Sequence, residues 1–133
     1  MTGQTLNIVI VDDDEFVGEI MSAGFENDPG FRIINCPSAV DFEESVTNLD
    51  IHGIVLDLFL PDINGMDLLK RIKADPKLRD IPVIVLSGVD DMAIRRKTIE
   101  AGAIHFITKP FAIADLKRLL VRVVGKSADP IPS

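Results

Sequence analysis

The chain has 133 residues, 47% of them hydrophobic, and a formal net charge of −7. That length suits a single core, and the acidic balance argues against a surface that grips nucleic-acid phosphates, so no direct nucleic-acid partner is expected. Cys36 is the only cysteine, which excludes an internal disulfide, and no Cys/His cluster has zinc-ligand spacing. It reads as a small core side chain at a strand end. The N-terminus has no basic segment followed by an apolar stretch of signal-peptide length, and no apolar run approaches the roughly 20 residues that span a bilayer. A soluble cytoplasmic protein with no membrane partner is expected.

In chain order, an apolar run over 6–11 predicts a buried strand, and it closes on the acidic cluster Asp12-Asp13-Asp14. Phe16, Val17, Ile20, Met21 and Phe25 follow at three- and four-residue spacing and predict a helix with that face against a sheet. Asp28-Pro29-Gly30 marks a turn before a strand over 31–35, and Cys36-Pro37-Ser38 starts a helix over 39–49. His52 precedes a third strand over 53–57, which ends at Asp57; a helix over 66–72 comes next, then the turn Asp75-Pro76. A strand over 82–86 leads to Ser87, and a helix over 92–101 ends at Gly102, where a left-handed cap is wanted. The fifth strand, over 104–107, holds His105 and Phe106 and leads to Lys109-Pro110. Leu116, Leu119, Leu120, Val123 and Val124 predict the last helix, after which the tail over 125–133 loses the apolar period and reads as a linker-like or frayed end. One domain over 1–124 results.

Five strands alternating with five helices imply an α/β fold with a parallel sheet covered on both faces. In such a sheet the site lies beyond the carboxyl ends of the strands, where the strand order reverses. Asp12 and Asp13 follow the first strand, Asp57 the third, Ser87 the fourth and Lys109 the fifth. Each alone has an ordinary explanation, as a helix cap, an Asx turn, a loop hydroxyl or a solvated charge. Together they place three carboxylates at one edge, where they would repel unless a cation sits between them. Asp14 reads better as a cap of the first helix than as a ligand. Neither His52 nor His105 falls at this edge.

The pattern Val11-Asp12-Asp13, Asp57-Leu58-Phe59-Leu60-Pro61-Asp62-Ile63-Asn64-Gly65, Ser87-Gly88 and Lys109-Pro110-Phe111 resembles the receiver domain of two-component response regulators, including those of chemotaxis. The resemblance covers about 6–124. It implies a flavodoxin-like (βα)5 doubly wound sheet with strand order 2-1-3-4-5. It implies Asp57 as phosphoacceptor, with Mg²⁺ held by Asp13 and Asp57, by Asp12 through water, and by the backbone carbonyl of Phe59. Lys109 and Ser87 would contact the phosphoryl oxygens, and Ser87 with Phe106 would relay the change. Family members often have Tyr at the position of Phe106, which puts any hydrogen bond by that side chain in question. Pro110 matches a cis-proline.

The implied partners are a sensor histidine kinase or phosphotransfer protein and an output domain or downstream protein. In the family the face of the fourth helix, fifth strand and fifth helix often contacts output partners, so Arg95, Arg96, Lys97, Lys117 and Arg118 are candidate residues of a partner surface; a homodimer through that face is a further expectation. Phe59 and Val89 are apolar where some relatives are polar, so an attacking water would lack partners and slow loss of the phosphoryl group is expected. Two other readings stand beside the switch. A pseudo-receiver would keep the fold without phosphorylation, against the complete set of acids, hydroxyl and lysine. An Asp-nucleophile phosphatase would need a second Asp at position 59, which is Phe. A flavin site is disfavoured by the absence of Trp and Tyr.

Overall fold

The computed structural model describes residues 5–128, with side chains described through 125. Strand β1 (Leu6–Val11) is followed by α1 (Glu15–Gly24), β2 (Phe31–Cys36), α2 (Ala39–Ser45), a 3₁₀ turn (Val46–Asn48) and β3 (Gly53–Asp57). Then come α3 (Gly65–Ala74), β4 (Val83–Ser87), α4 (Met92–Glu100), β5 (His105–Thr108) and α5 (Ile113–Ala128). The five strands form one parallel sheet in the order β2-β1-β3-β4-β5. This is the flavodoxin-like order, and it puts the reversal of strand order between β1 and β3. No helix among the described residues is long and apolar enough to cross a membrane.

The two-residue period of the strands sorts the core into two layers. Val9, Val11, Ile54, Leu56, Val83 and Val85 face Phe42, Leu68, Leu69 and Ile72 of α2 and α3. The intervening Ile8, Ile10, Val55, Ile84 and Leu86 face Val17, Met21 and Phe25 on one side and Leu116, Leu120 and Val124 of α5. β3 and β4 are buried on both faces, which is why their sequences read as unbroken apolar runs rather than as alternation.

Several details differ from the sequence reading. β4 and β5 each lie one residue later, so Ser87 is the last residue of its strand, paired in register with Thr108. The helix expected over 39–49 ends at Ser45 and tightens into the 3₁₀ turn, where Val46 and Thr47 are β-branched and the Thr47 hydroxyl bonds back to the Glu43 carbonyl at 3.2 Å. Phe16 is 64% exposed, a correction to the expected buried stripe: it lies in the first turn of α1, and the buried stripe begins at Val17. Finally, α5 continues through Gly125 to Ala128; the rest of the expected tail, 129–133, lies outside the described residues.

Local chemistry brings the chain to the carboxyl edge in the right places. Asp14 caps α1 by accepting from the Phe16 amide at 3.0 Å, as expected. Asn64 caps α3 through the Met66 amide at 2.8 Å. Gly65 must be glycine, since a Cβ there would meet the Asp57 carbonyl oxygen and the Leu58 Cα at 2.5 Å each. The close approach lets α3 begin directly against the end of β3. Gly102, with φ of 116°, ends α4 in a conformation that other residues resist.

Candidate functional site

The ends of β1, β3, β4 and β5 bring the expected residues to one edge of the sheet. Asp12 and Asp57 are nearly buried, at 7% and 5% exposed, whereas Asp13 is open to solvent. One carboxylate oxygen from each of Asp12, Asp13 and Asp57 lies within 4.8 Å of the other two. Lys109 reaches in from β5, its Nζ at 2.9 Å from Asp12 Oδ2 and 3.5 Å from Asp57 Oδ2. Its peptide bond to Pro110 is cis. The backbone of Lys109 is fixed to the neighbouring strand by its amide, which donates to the Ser87 carbonyl at 2.8 Å.

The charges do not balance within this cluster. Three carboxylates against one ammonium leave a net negative site, with Asp12 and Asp57 largely out of water. Asp57 carries the strain: burial, then the neighbouring Asp12 charge, outweigh the Phe59 amide and Lys109, and its pKa is pushed up to about 6. For Lys109, burial acts to lower the pKa, but Asp12 and Asp57 together prevail and raise it, so it stays a cation.

Each oxygen has a defined position. Asp12 Oδ1 accepts from the Asp14 amide at 2.9 Å, while its Oδ2 is taken by Lys109. Asp57 Oδ1 accepts from the Phe59 amide at 3.1 Å, which ties the carboxylate to the loop after β3. The donor set is all oxygen and suits a hard divalent cation. Oxygens sharing Mg²⁺ at about 2.1 Å lie no more than about 4.2 Å apart, so this cluster needs only a small contraction to hold one. Asp12 and Asp13 line a cleft of about 490 Å³ whose wall is formed by α1 and the end of β2, including Asp14, Gly18 and Asn35. A larger cleft of about 590 Å³, at Lys73, Asp80, His105 and Arg122, lies at the other end of the sheet and has no comparable group of acids.

Ser87 is fully buried, and its hydroxyl is turned onto its own loop. It donates to the Val89 carbonyl at 3.1 Å and accepts from the Val89 amide at 3.0 Å. Phe106, 7% exposed, is packed inward, and the Arg95 guanidinium lies 4.7 Å from its ring centroid. Arg95 also donates to the Phe106 carbonyl at 3.4 Å and to Asp90 at 3.2 Å, so one side chain joins the loop after β4, α4 and β5. Sequence reading had placed Arg95 only among candidate surface cations. Of that group, Lys117 pairs with Asp28 and lies over the Phe25 ring, and Arg118 pairs with Asp115 at 3.0 Å, whereas Arg96 and Lys97 are exposed.

The histidines are where the sequence reading put them, away from this edge. His52 Nδ1 accepts from the Asn7 amide at 3.0 Å at the start of β1, and His105 opens β5. Phe59 and Val89 flank the site and are 57% and 42% exposed.

A family model described as "Response regulator receiver domain" matches residues 8–121. Response regulator RR06 of Streptococcus pneumoniae serotype 2 is 32% identical over 121 residues, which cover 91% of this chain and 54% of that protein. The two-component response regulator ORR3 of Oryza sativa subsp. indica is 32% identical over 120 residues, 89% of this chain and 91% of that one. The chain thus spans about half of the first relative and nearly all of the second. Among solved structures, the receiver domain of the sensor histidine kinase PA1611 from Pseudomonas aeruginosa, with magnesium coordinated in its active-site cleft, superposes with a TM-score of 0.78 at 25% identity, covering 91% of this chain and 98% of that one.

Proposed function

The chain belongs to the response regulator receiver domain family, and from that premise we propose that it is a Mg²⁺-dependent phosphorylation switch whose acceptor is Asp57. The observation that carries this reading is the convergence of Asp12, Asp13, Asp57 and Lys109 on one point at the edge of the sheet. The PA1611 receiver, with magnesium coordinated in its active-site cleft, supports the choice of cation.

Asp13, exposed and oriented toward the cluster, and Asp57 would hold the cation directly, with the Phe59 carbonyl as a third ligand. Asp12 would act through water, because the Asp14 amide and Lys109 already hold its two oxygens. When bound, Mg²⁺ supplies the charge neutralisation that lets an anionic donor approach these carboxylates. A carboxylate oxygen of Asp57 attacks the donor phosphorus in line, the bond to the donor's leaving atom breaks, and that atom departs with the bonding pair. The Phe59 amide fixes the acceptor carboxylate, and Lys109 exchanges part of its pairing with Asp12 for a phosphoryl oxygen. The donor is a histidine kinase or a phosphotransfer protein.

The readout begins at Ser87. Its hydroxyl gives up its bonds to Val89 and donates to a phosphoryl oxygen, which draws the loop after β4 inward. Asp90 and Arg95 lie next along the chain, and Arg95 covers Phe106, so the movement reaches the α4-β5-α5 face. That face meets the output domain, a downstream protein or a second copy of the chain. The arrangement is a switch rather than an enzyme acting on other substrates.

The switch is tested by adding beryllium fluoride and Mg²⁺, a stable phosphoryl mimic, and following backbone amide resonances. Shifts at Ser87, Val89, Arg95 and Phe106 that are absent from Asp57→Ala are expected. A response confined to Asp12, Asp13 and Asp57 would contradict the relay.

A further inference from the structure

The loop between β3 and α3 carries another carboxylate, and its partners lie on a different element. Asp62 Oδ1 accepts from the Ala39 amide at 3.1 Å, and Oδ2 accepts from the Val40 amide at 3.0 Å. These are the first two residues of α2; the amide of the third, Asp41, is taken by the Ser38 hydroxyl at 3.2 Å. The first three amides of the helix are therefore all satisfied, two of them by a residue from a distant loop. Ser38 already fills the usual capping position, so the contribution of Asp62 is a tie between the loop and the helix.

Both ends of that tie are anchored. On α2, Ala39 and Phe42 are buried in the core. On the loop, Phe59 and Asn64 form an isolated bridge, the Gly65 amide donates to the Leu58 carbonyl at 2.8 Å, and the Phe59 amide donates to Asp57. The Phe59 carbonyl lies in the stretch between these fixed points. The Ala39 amide foremost, with that of Val40, holds the Asp62 carboxyl below the usual carboxylate range, so the tie stays charged at neutral pH.

We propose that Asp62 is a positioning residue for the cation: by clamping the loop to α2 it holds the Phe59 carbonyl where it serves as a ligand. This rests on the reading of Asp12, Asp13 and Asp57 as the Mg²⁺ site. Without the tie, binding must also order the loop, and that cost appears as lost affinity. The residue is solvent-exposed and outside the core, so replacing it leaves the core packing untouched.

The test is a Mg²⁺ titration of the wild type, Asp62→Ala, Asp62→Asn and Ser38→Ala, followed by amide resonances of the described residues. Asp62→Ala should bind Mg²⁺ about three- to tenfold more weakly, the scale of ordering a short segment. Asp62→Asn should fall between, because its oxygen still accepts one amide while its NH₂ opposes the other. Ser38→Ala weakens the same helix terminus and should keep the wild-type affinity. Unchanged affinity in Asp62→Ala, or an equal loss in Ser38→Ala, would overturn the inference. Failure of the wild type itself to bind Mg²⁺ would overturn the reading beneath it.

Discussion

At Asp57 the demands of folding and of chemistry pull apart. Burial and the charge of Asp12 raise its pKa to about 6, above the unfolded value of 3.8, so the folded state favours the neutral acid. The stability from that group is full below 3.8 and is lost as pH rises through about 6. Without Mg²⁺, the wild type should therefore be less stable at pH 7 than Asp57→Asn, by something of the order of 3 kcal/mol, while the two converge below about pH 4. Urea unfolding at both pH values checks this, and Mg²⁺ should narrow the gap at pH 7, because the cation takes the place of the proton. Phe59 bears on the opposite end of the cycle. Its ring is exposed beside the acceptor and offers a water no hydrogen bond, so the phosphoryl group should be long-lived. Phe59→Asn should speed the decay severalfold in a chase after removal of the donor; equal or faster decay in the wild type would refute the idea.

Among the elements, the junction of β3 and α3 matters most, because it carries the proposed acceptor at the end of β3, the proposed Phe59 carbonyl ligand and the Asp62 tie. Gly65 permits that junction by letting the helix start against the strand's backbone. Gly65→Ala should cost about 1–3 kcal/mol, as overpacked sites do, and should also slow phosphorylation, because the displaced atoms include the Asp57 carbonyl. Thermal unfolding and the phosphorylation rate, measured on the same variant, separate the two effects. Loss of stability with an unchanged rate would show that the loop tolerates the shift. The βα alternation and the four contributing strand ends were readable in the chain because apolar period and punctuation are local signals. Phe16 misled for the same reason: spacing places it on the α1 stripe, but spacing cannot show that its turn of the helix leaves the ring in solvent. Asp62 stands in the loop motif without a role of its own, and nothing local could reveal that its partners begin 23 residues earlier.

For the molecule as a whole, the strand order places β1 and β3 side by side, so two acidic segments more than 40 residues apart meet at the point where the strand order reverses. The candidate site was legible because that topological rule converts strand ends into neighbours. Its internal state was not. The pairing of Lys109 with Asp12 in preference to Asp57, the Ser87 hydroxyl turned onto Val89, and Arg95 lying over Phe106 all depend on side-chain geometry between non-adjacent elements. In the proposed switch, these contacts are the ones that phosphorylation of Asp57 would rearrange. The most direct test is the intact mass after incubation with acetyl phosphate and Mg²⁺, run beside Asp57→Ala and an EDTA control. A gain of one phosphoryl group, lost in both controls, is the expected result. A folded wild type that gains none, or a gain that persists in Asp57→Ala, would contradict it.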